Sequence, residues 1–352
     1  MPSSISSSDP GQGAAWRRFA RALALTAAGV GAFVYLFVTL VDPWGMLPLS
    51  PPWHRIPISS NARYSMPALA VSPRFDSAMV GTSTGRLLQP AILDAPFGAH
   101  FVNMAMNSAT PWEQDRILRL FLRHHPAPRV VLIDIDAEWC FADRHGLSGP
   151  NRPMPDWMYE GSPWRGYLEM MNMYAVQEAA NQFMWLTGHK KQRFGSDGYT
   201  SFVPPDSLYD PHRVDELFRT WAFDTAPAKG PAAPPASIPF LARLLDAIPA
   251  ETAKILWFPP SAREQQGAPG TQVAATRAAC RTAIAALART TPHVMAIDFE
   301  IPGPLADSRA NFWDPIHYRQ AVARMVMDDL AAAAMGRDVA PTQARVLVPP
   351  HP

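Results

Sequence analysis

Apolar positions along the chain alternate between short solid runs, which suit buried strands, and periodic stretches, which suit helices. The longest apolar run comes first. Ala22 to Val41 carries no charged residue, and twenty residues of helix reach about 30 Å, the thickness of a bilayer's hydrocarbon. Arg17, Arg18 and Arg21 precede it, and Asp42, Pro43 and Trp44 follow it. The positive flank predicts a single-pass anchor with the N-terminus cytoplasmic and everything after Asp42 outside. The alternative, a cleaved signal peptide, has a shorter apolar core and ends at an A-x-A-like site, which this sequence lacks.

Beyond the anchor, FDSAMVG (Phe75 to Gly81) reads as a first strand followed by a helical stretch near Leu87 to Leu93, and HFVNMAM (His100 to Met106) as a second strand. Pro111 then opens an amphipathic helix, with Ile117, Leu118, Leu120 and Phe121 on its apolar side. RVVLIDID (Arg129 to Asp136), KILWFPP (Lys254 to Pro260) and HVMAIDF (His293 to Phe299) are β-branched or apolar runs of the kind buried on both faces of a parallel sheet. Helices are expected from about Thr271 to Arg289 and, with Asp314 as N-cap, from Pro315 to Ala334. This alternation predicts an α/β fold, a three-layer αβα domain with a parallel sheet and its ligand crevice beyond the carboxyl ends of the strands.

The expected organisation is a cytoplasmic tail over 1–18, disordered over 1–16; a transmembrane anchor over 19–41; a semi-rigid Pro-rich stem over 42–74; the α/β domain over 75–335; and a C-terminal tail over 336–352. Between residues 137 and 240 the strand–helix alternation stops. That insertion is rich in Trp, Tyr and Met, holds a helix near Tyr167 to Thr187, ends in the linker TAPAKGPAAPPASIP, and is expected to overhang the crevice as a lid or as an ordinary helical cap.

Charge narrows the function. With 31 Lys plus Arg against 30 Asp plus Glu, the chain has no basic stripe for nucleic acid. Proline, 38 of 352 residues, implies long loops held by fixed backbone angles. Cys140 and Cys280 make neither a CxxC motif nor a disulfide framework, and read as buried thiols for which a bridge stays open outside the cytoplasm. No motif calls for a metal or a cofactor. HKKQR (His189 to Arg193) reads as a solvated basic face, or one that meets an anionic glycan or lipid head group.

Two features fall at expected strand ends. GTSTGR (Gly81 to Arg86) places Ser83 in a tight strand-to-helix turn, where a hydroxyl is exposed and its own backbone N–H can face an oxyanion. It also fits a plain helix cap. FWDPIHYR (Phe312 to Arg319) spaces Asp314 and His317 so that the carboxylate can hold one ring nitrogen while the other faces the crevice. Asp298, at a strand end, is the reserve acid.

Together with DPWG (Asp42 to Gly45) after the anchor, these motifs resemble the SGNH (GDSL-like) hydrolase superfamily. Within it, the chain is similar to the membrane-anchored bacterial branch that includes DltD and alginate acetylation proteins. The resemblance implies Ser83 as nucleophile, His317 as general base and Asp314 as its orienter. It puts the oxyanion donors at Ser83 and at Ser108 in MNSATP, with Asn107 as a substitute for the family's Asn after the third strand. At that position this sequence has Asp134, Asp136 and Glu138, and a carboxylate there is expected to repel an oxyanion. The resemblance implies the inner membrane of a bacterium with the main domain in the periplasm, and an O-acyltransferase or esterase acting on acyl, such as acetyl, esters of an envelope polysaccharide or exopolysaccharide, partnered by a multi-pass membrane O-acyltransferase. The alternative is a non-catalytic SGNH-like binding or assembly subunit of the same kind of machine.

Overall fold

A computed structural model describes residues 10–192 and 194–351, and the chain divides into two compact units. In chain order the elements are α1 (Pro10–Val41), α2 (Ala62–Ala70), β1 (Ser77–Val80), α3 (Pro90–Phe97), β2 (Phe101–Asn103), α4 (Pro111–His124), β3 (Val130–Asp134), α5 (Ala137–Cys140), α6 (Asp156–Tyr159), α7 (Gly166–Glu169) and α8 (Met173–Leu186). There follow α9 (Pro211–Thr220), α10 (Ile238–Ala247), β4 (Ala253–Phe258), α11 (Gln272–Thr290), β5 (Val294–Asp298), α12 (Pro304–Asp307), α13 (Gln320–Ala334) and β6 (Arg345–Val348).

One unit runs through Arg55 and includes Ser162–Lys191. Its α1 is a single helix of 32 residues, and its Gly13–Val41 part is long and apolar enough to cross a membrane. The helix starts earlier than expected. Pro10 to Trp16 is helical where a disordered tail is expected, with Pro10 at the helix start and Ala14 and Ala15 leading into the anchor; residues 1–9 of that tail lie outside the described residues. Within this unit α8 packs along α1.

The other unit, Ile56–Gly161 with the chain from Gln192 onward, holds the sheet. Its strand order is β2-β1-β3-β4-β5-β6, with the first five parallel and β6 antiparallel to β5. Both faces are covered. Met79, Leu132, Ile255, Trp257 and Ile297 face a core shared with Leu93, Val326 and Leu330 of α3 and α13. The alternating residues Ala78, Val80, Val131, Ile133 and Leu256 are equally buried on the opposite side, where α4, α10 and α11 pack together. This is an α/β fold with a doubly wound sheet whose order reverses between β1 and β3.

Several boundaries differ from expectation. The segment read as stem, 42–74, joins the sheet unit from Ile56, and its α2 packs on α4 with Arg63 and Met66 buried. The insertion is not one body, since Ser162–Lys191 falls with α1 and the rest with the sheet. The C-terminal tail contributes β6, a strand too short and too closely bounded by Pro341 and Pro349 to stand out in the sequence. Cys140 and Cys280 are not free thiols but a disulfide joining α5 to α11.

Candidate active site

The site lies at the carboxyl ends of β1, β3, β4 and β5, at the point where the sheet's order reverses. Its crevice, about 110 Å³, is bordered by Ser83, Ser108, Asp136, Ser261, Arg277 and Ile316. Sites that engulf a drug-sized ligand enclose about 300–1,000 Å³, so the enclosed part here suits only a small group.

His317 joins the two sequence motifs. Its Nε2 is 2.8 Å from Ser83 Oγ, and its Nδ1 is 2.6 Å from Asp314 Oδ2. With Nδ1–H donating to the carboxylate, Nε2 is left to accept the Ser83 proton, the arrangement of a nucleophile, a base and an orienting acid. Asp314 is not a helix cap: its Oδ1 accepts the backbone N–H of Ile316 at 2.9 Å and of His317 at 2.9 Å, closing a turn, and α13 begins only at Gln320. The helix is delayed because buried Phe312 and Tyr318 bridge to each other across this turn. Burial works to raise the Asp314 carboxyl, but the hydrogen bond and charge of His317 and the two N–H groups outweigh it and hold it below its usual value.

The Ser83 turn is clamped from beneath by Asp134, at the end of β3. Its Oδ2 accepts the Thr84 hydroxyl at 2.7 Å, the Gly85 N–H at 2.9 Å and the Thr82 N–H at 3.3 Å. The glycines follow from this approach. A Cβ on Gly81 would lie 2.3 Å from Asp134 Cβ, and one on Gly85 3.0 Å from Oδ2. Tyr318 adds a second tie between the motifs, its hydroxyl donating to the Thr84 carbonyl at 2.7 Å. Burial pushes the Asp134 carboxyl up to about 7 against these three hydrogen bonds. Asp136, which accepts from the Thr82 hydroxyl, is driven well above the usual carboxyl range by burial and then by Asp134. The acid expected to repel an oxyanion is therefore held toward its neutral form, and Asp134 points into the turn rather than into the crevice.

The two oxyanion candidates beyond Ser83 part company. Ser108 borders the crevice in a left-handed conformation, φ 48°, which Arg63 secures by donating to the carbonyls of Asn107 at 2.9 Å and Ser108 at 3.4 Å. Arg63 is itself held by a buried bidentate pair with Glu113, at 2.7 and 2.6 Å. Asn107 does not border the crevice, and its side-chain oxygen accepts from Arg86. The reserve acid is used elsewhere: Asp298 pairs with Arg281 at 2.7 Å.

Asp134, Thr82, Thr84, Arg63 and Glu113 were not read as site residues from the sequence. Only Asp134 left a signal there, an acid at the end of an apolar strand. From the insertion, Phe202 meets the His317 ring edge-on at 5.2 Å, and Arg86 lies over the Phe202 ring. Among the described residues no group of three or more His, Cys, Asp or Glu side chains could hold a metal ion. No family model matches the chain, and no curated protein matches it.

Proposed function

We propose that the chain is a membrane-anchored, SGNH-like serine acyltransferase or esterase working on small acyl esters of an envelope polysaccharide. The observation that carries this reading is the continuous hydrogen-bond path from Ser83 through His317 to Asp314, with a clamped turn beneath the serine. In the reaction, His317 Nε2 takes the Ser83 proton as Oγ attacks the acyl carbonyl. The same imidazolium then protonates the departing alkoxide, leaving an acyl ester on Ser83. A hydroxyl of the acceptor, deprotonated in turn by His317, attacks that ester and restores the serine. The Ser83 and Ser108 backbone N–H groups are the oxyanion donors in this reading. The upward shift that burial gives Asp136 lessens the repulsion that a fully ionised carboxylate would bring.

The 2-1-3-4-5 order of the parallel strands and the small crevice both support this assignment, the latter favouring an acetyl-sized group. The Cys140–Cys280 bridge supports an oxidising compartment for the sheet unit, in keeping with the orientation set by Arg17, Arg18 and Arg21. Tethering raises the effective concentration of the site for a membrane-borne acyl donor, which favours transfer over hydrolysis and a multi-pass membrane O-acyltransferase as partner. The test is an activated acetyl ester offered to the full-length chain with and without acceptor glycan. Acetylated glycan formed by the wild type and lost in Ser83→Ala is expected; hydrolysis at a rate indifferent to glycan would reduce the assignment to an esterase. No turnover of either kind would leave the binding-subunit reading in its place.

A further inference from the structure

The helix α8 has its polarity inside out. Glu178 and Gln182, on its covered stripe with Ala175 and Ala179, are 3% and 0% exposed, whereas Met173, Phe183 and Met184 are 80%, 47% and 44% exposed. A helix facing water shows the reverse. Polar groups turned to the protein and apolar ones turned outward are the pattern of helices in lipid.

The position of α8 against α1 agrees. Tyr174, at the start of α8, meets Trp44 at 6.0 Å, and Phe183, near its end, meets Phe37 at 5.7 Å. The helix therefore runs antiparallel to α1 and descends along it. Phe37 lies four residues inside the end of the apolar run at Val41, which is about 6 Å of helix. Phe183 reaches that depth, where Leu36 and Leu40 of α1 are exposed. At Gly188, φ 80°, the chain turns back, and Lys190 donates to Asn181 at 2.6 Å, so its ammonium stands just above the apolar tip. Near the upper end Trp164 stacks on Tyr167, whose hydroxyl accepts from the Leu49 N–H at 3.2 Å. Lysines and aromatics bordering an apolar band are what a bilayer interface selects.

We propose that Ser162–Lys191 is a second membrane-inserted element, with the C-terminal half of α8 seated in the lipid of the leaflet at the Val41 end of α1. This rests on α1 being the membrane anchor and is independent of the chemistry at Ser83. Lys190 and Lys191 take the role of head-group ligands, and Arg193 of the same basic cluster lies outside the described residues.

The test uses the full-length chain in vesicles of phosphatidylglycerol and phosphatidylethanolamine, carrying one bimane-labelled cysteine at a time. Met184→Cys probes α8, Leu36→Cys the anchor, and Leu208→Cys, an exposed position of the sheet unit, the aqueous phase. With brominated acyl chains added, Met184→Cys is expected to be quenched as strongly as Leu36→Cys, with blue-shifted emission, and Leu208→Cys to be unaffected. Quenching at Leu36→Cys but none at Met184→Cys would overturn the proposal and leave the anchor standing. Loss of quenching at both would overturn the anchor as well. Protection of Met184→Cys from a water-soluble thiol reagent in native membranes, without quenching in vesicles, would mean that a membrane protein and not lipid covers α8, and would equally overturn it.

Discussion

Replacing Asp134 separates its two roles, as an acceptor for the nucleophile turn and as a buried acid. In Asp134→Ala the Thr82 and Gly85 N–H groups and the Thr84 hydroxyl lose their shared acceptor inside the protein. The Thr84 hydroxyl keeps the Thr82 hydroxyl at 3.1 Å as a partner; each of the two backbone N–H groups left unpaired costs about 1–3 kcal/mol, so the alanine variant should be less stable than Asp134→Asn, which keeps an acceptor oxygen, by about 2–6 kcal/mol. The acid role has the opposite sign. With its carboxyl raised from 3.8 to about 7 in the folded protein, Asp134 keeps a proton that the unfolded chain has already released. Wild-type stability from this group is therefore intact below the unfolded value and falls as pH rises through this window, by up to about 4 kcal/mol. Asparagine does not titrate, so Asp134→Asn should gain on the wild type between pH 4 and pH 8. Guanidinium unfolding of the full-length chain in detergent, followed by near-ultraviolet circular dichroism across that range, measures both effects. The rate of Ser83 labelling by a fluorophosphonate should fall about a hundredfold in the alanine variant, the usual cost of moving a reacting group by about 1 Å. Equal stability of the two variants at every pH, or wild-type labelling of Asp134→Ala, would refute the clamp.

Other outcomes follow from the same structure. Asp314→Asn should lower Ser83 labelling by about a thousandfold while the fold survives, because its oxygen keeps the Ile316 and His317 N–H groups, which turns the NH2 toward Nδ1 and puts the imidazole proton on Nε2. Since the Asp314 carboxyl is held low, its contribution to stability is present above its unfolded value and is lost as pH falls through the folded one; the asparagine variant should therefore lose less stability in acid. Arg63→Met leaves Glu113 charged, buried and unpaired, and should cost about 3–5 kcal/mol in chemical denaturation, with much of it recovered in the Arg63→Met/Glu113→Leu double variant. Cys140→Ala/Cys280→Ala opens a loop of 140 residues, and the denaturation midpoint should drop by the equivalent of about 3–5 kcal/mol, as it should for wild type under reductant.

How far the sequence announces all this depends on the range of the interaction. β1 to β5 were legible because each is a solid apolar run bounded by turn residues, and a strand buried on both faces needs nothing more. Ser83 and the Asp314–His317 spacing were legible because a tight turn and a three-residue interval are local. The Asp134 clamp was not. In the sequence that acid stands beside Asp136 and Glu138 and reads as repulsion, and only the pairing of β1 with β3 turns it toward Gly81 and Gly85. The Arg63–Glu113 pair spans 50 residues, and Arg63 belongs to a segment read as stem. The last helix was placed too early because Asp-Pro is a strong local start signal. The antiparallel backbone bridge between Phe312 and Tyr318, in which the Trp313 N–H donates to the His317 carbonyl at 2.8 Å and the Arg319 N–H to the Asn311 carbonyl at 2.9 Å, overrides it. Likewise α8 was visible as a helix, whereas its division from the rest of the insertion depends on its packing against α1.

The central claim is that Ser83 is an activated nucleophile. It is tested most directly by treating the full-length chain with a fluorophosphonate and mapping the adduct by mass spectrometry. The account predicts one stoichiometric adduct, on Ser83, absent from Ser83→Ala and strongly slowed in His317→Ala. A folded wild-type chain that stays unlabelled, or that carries the adduct on another serine, would contradict it.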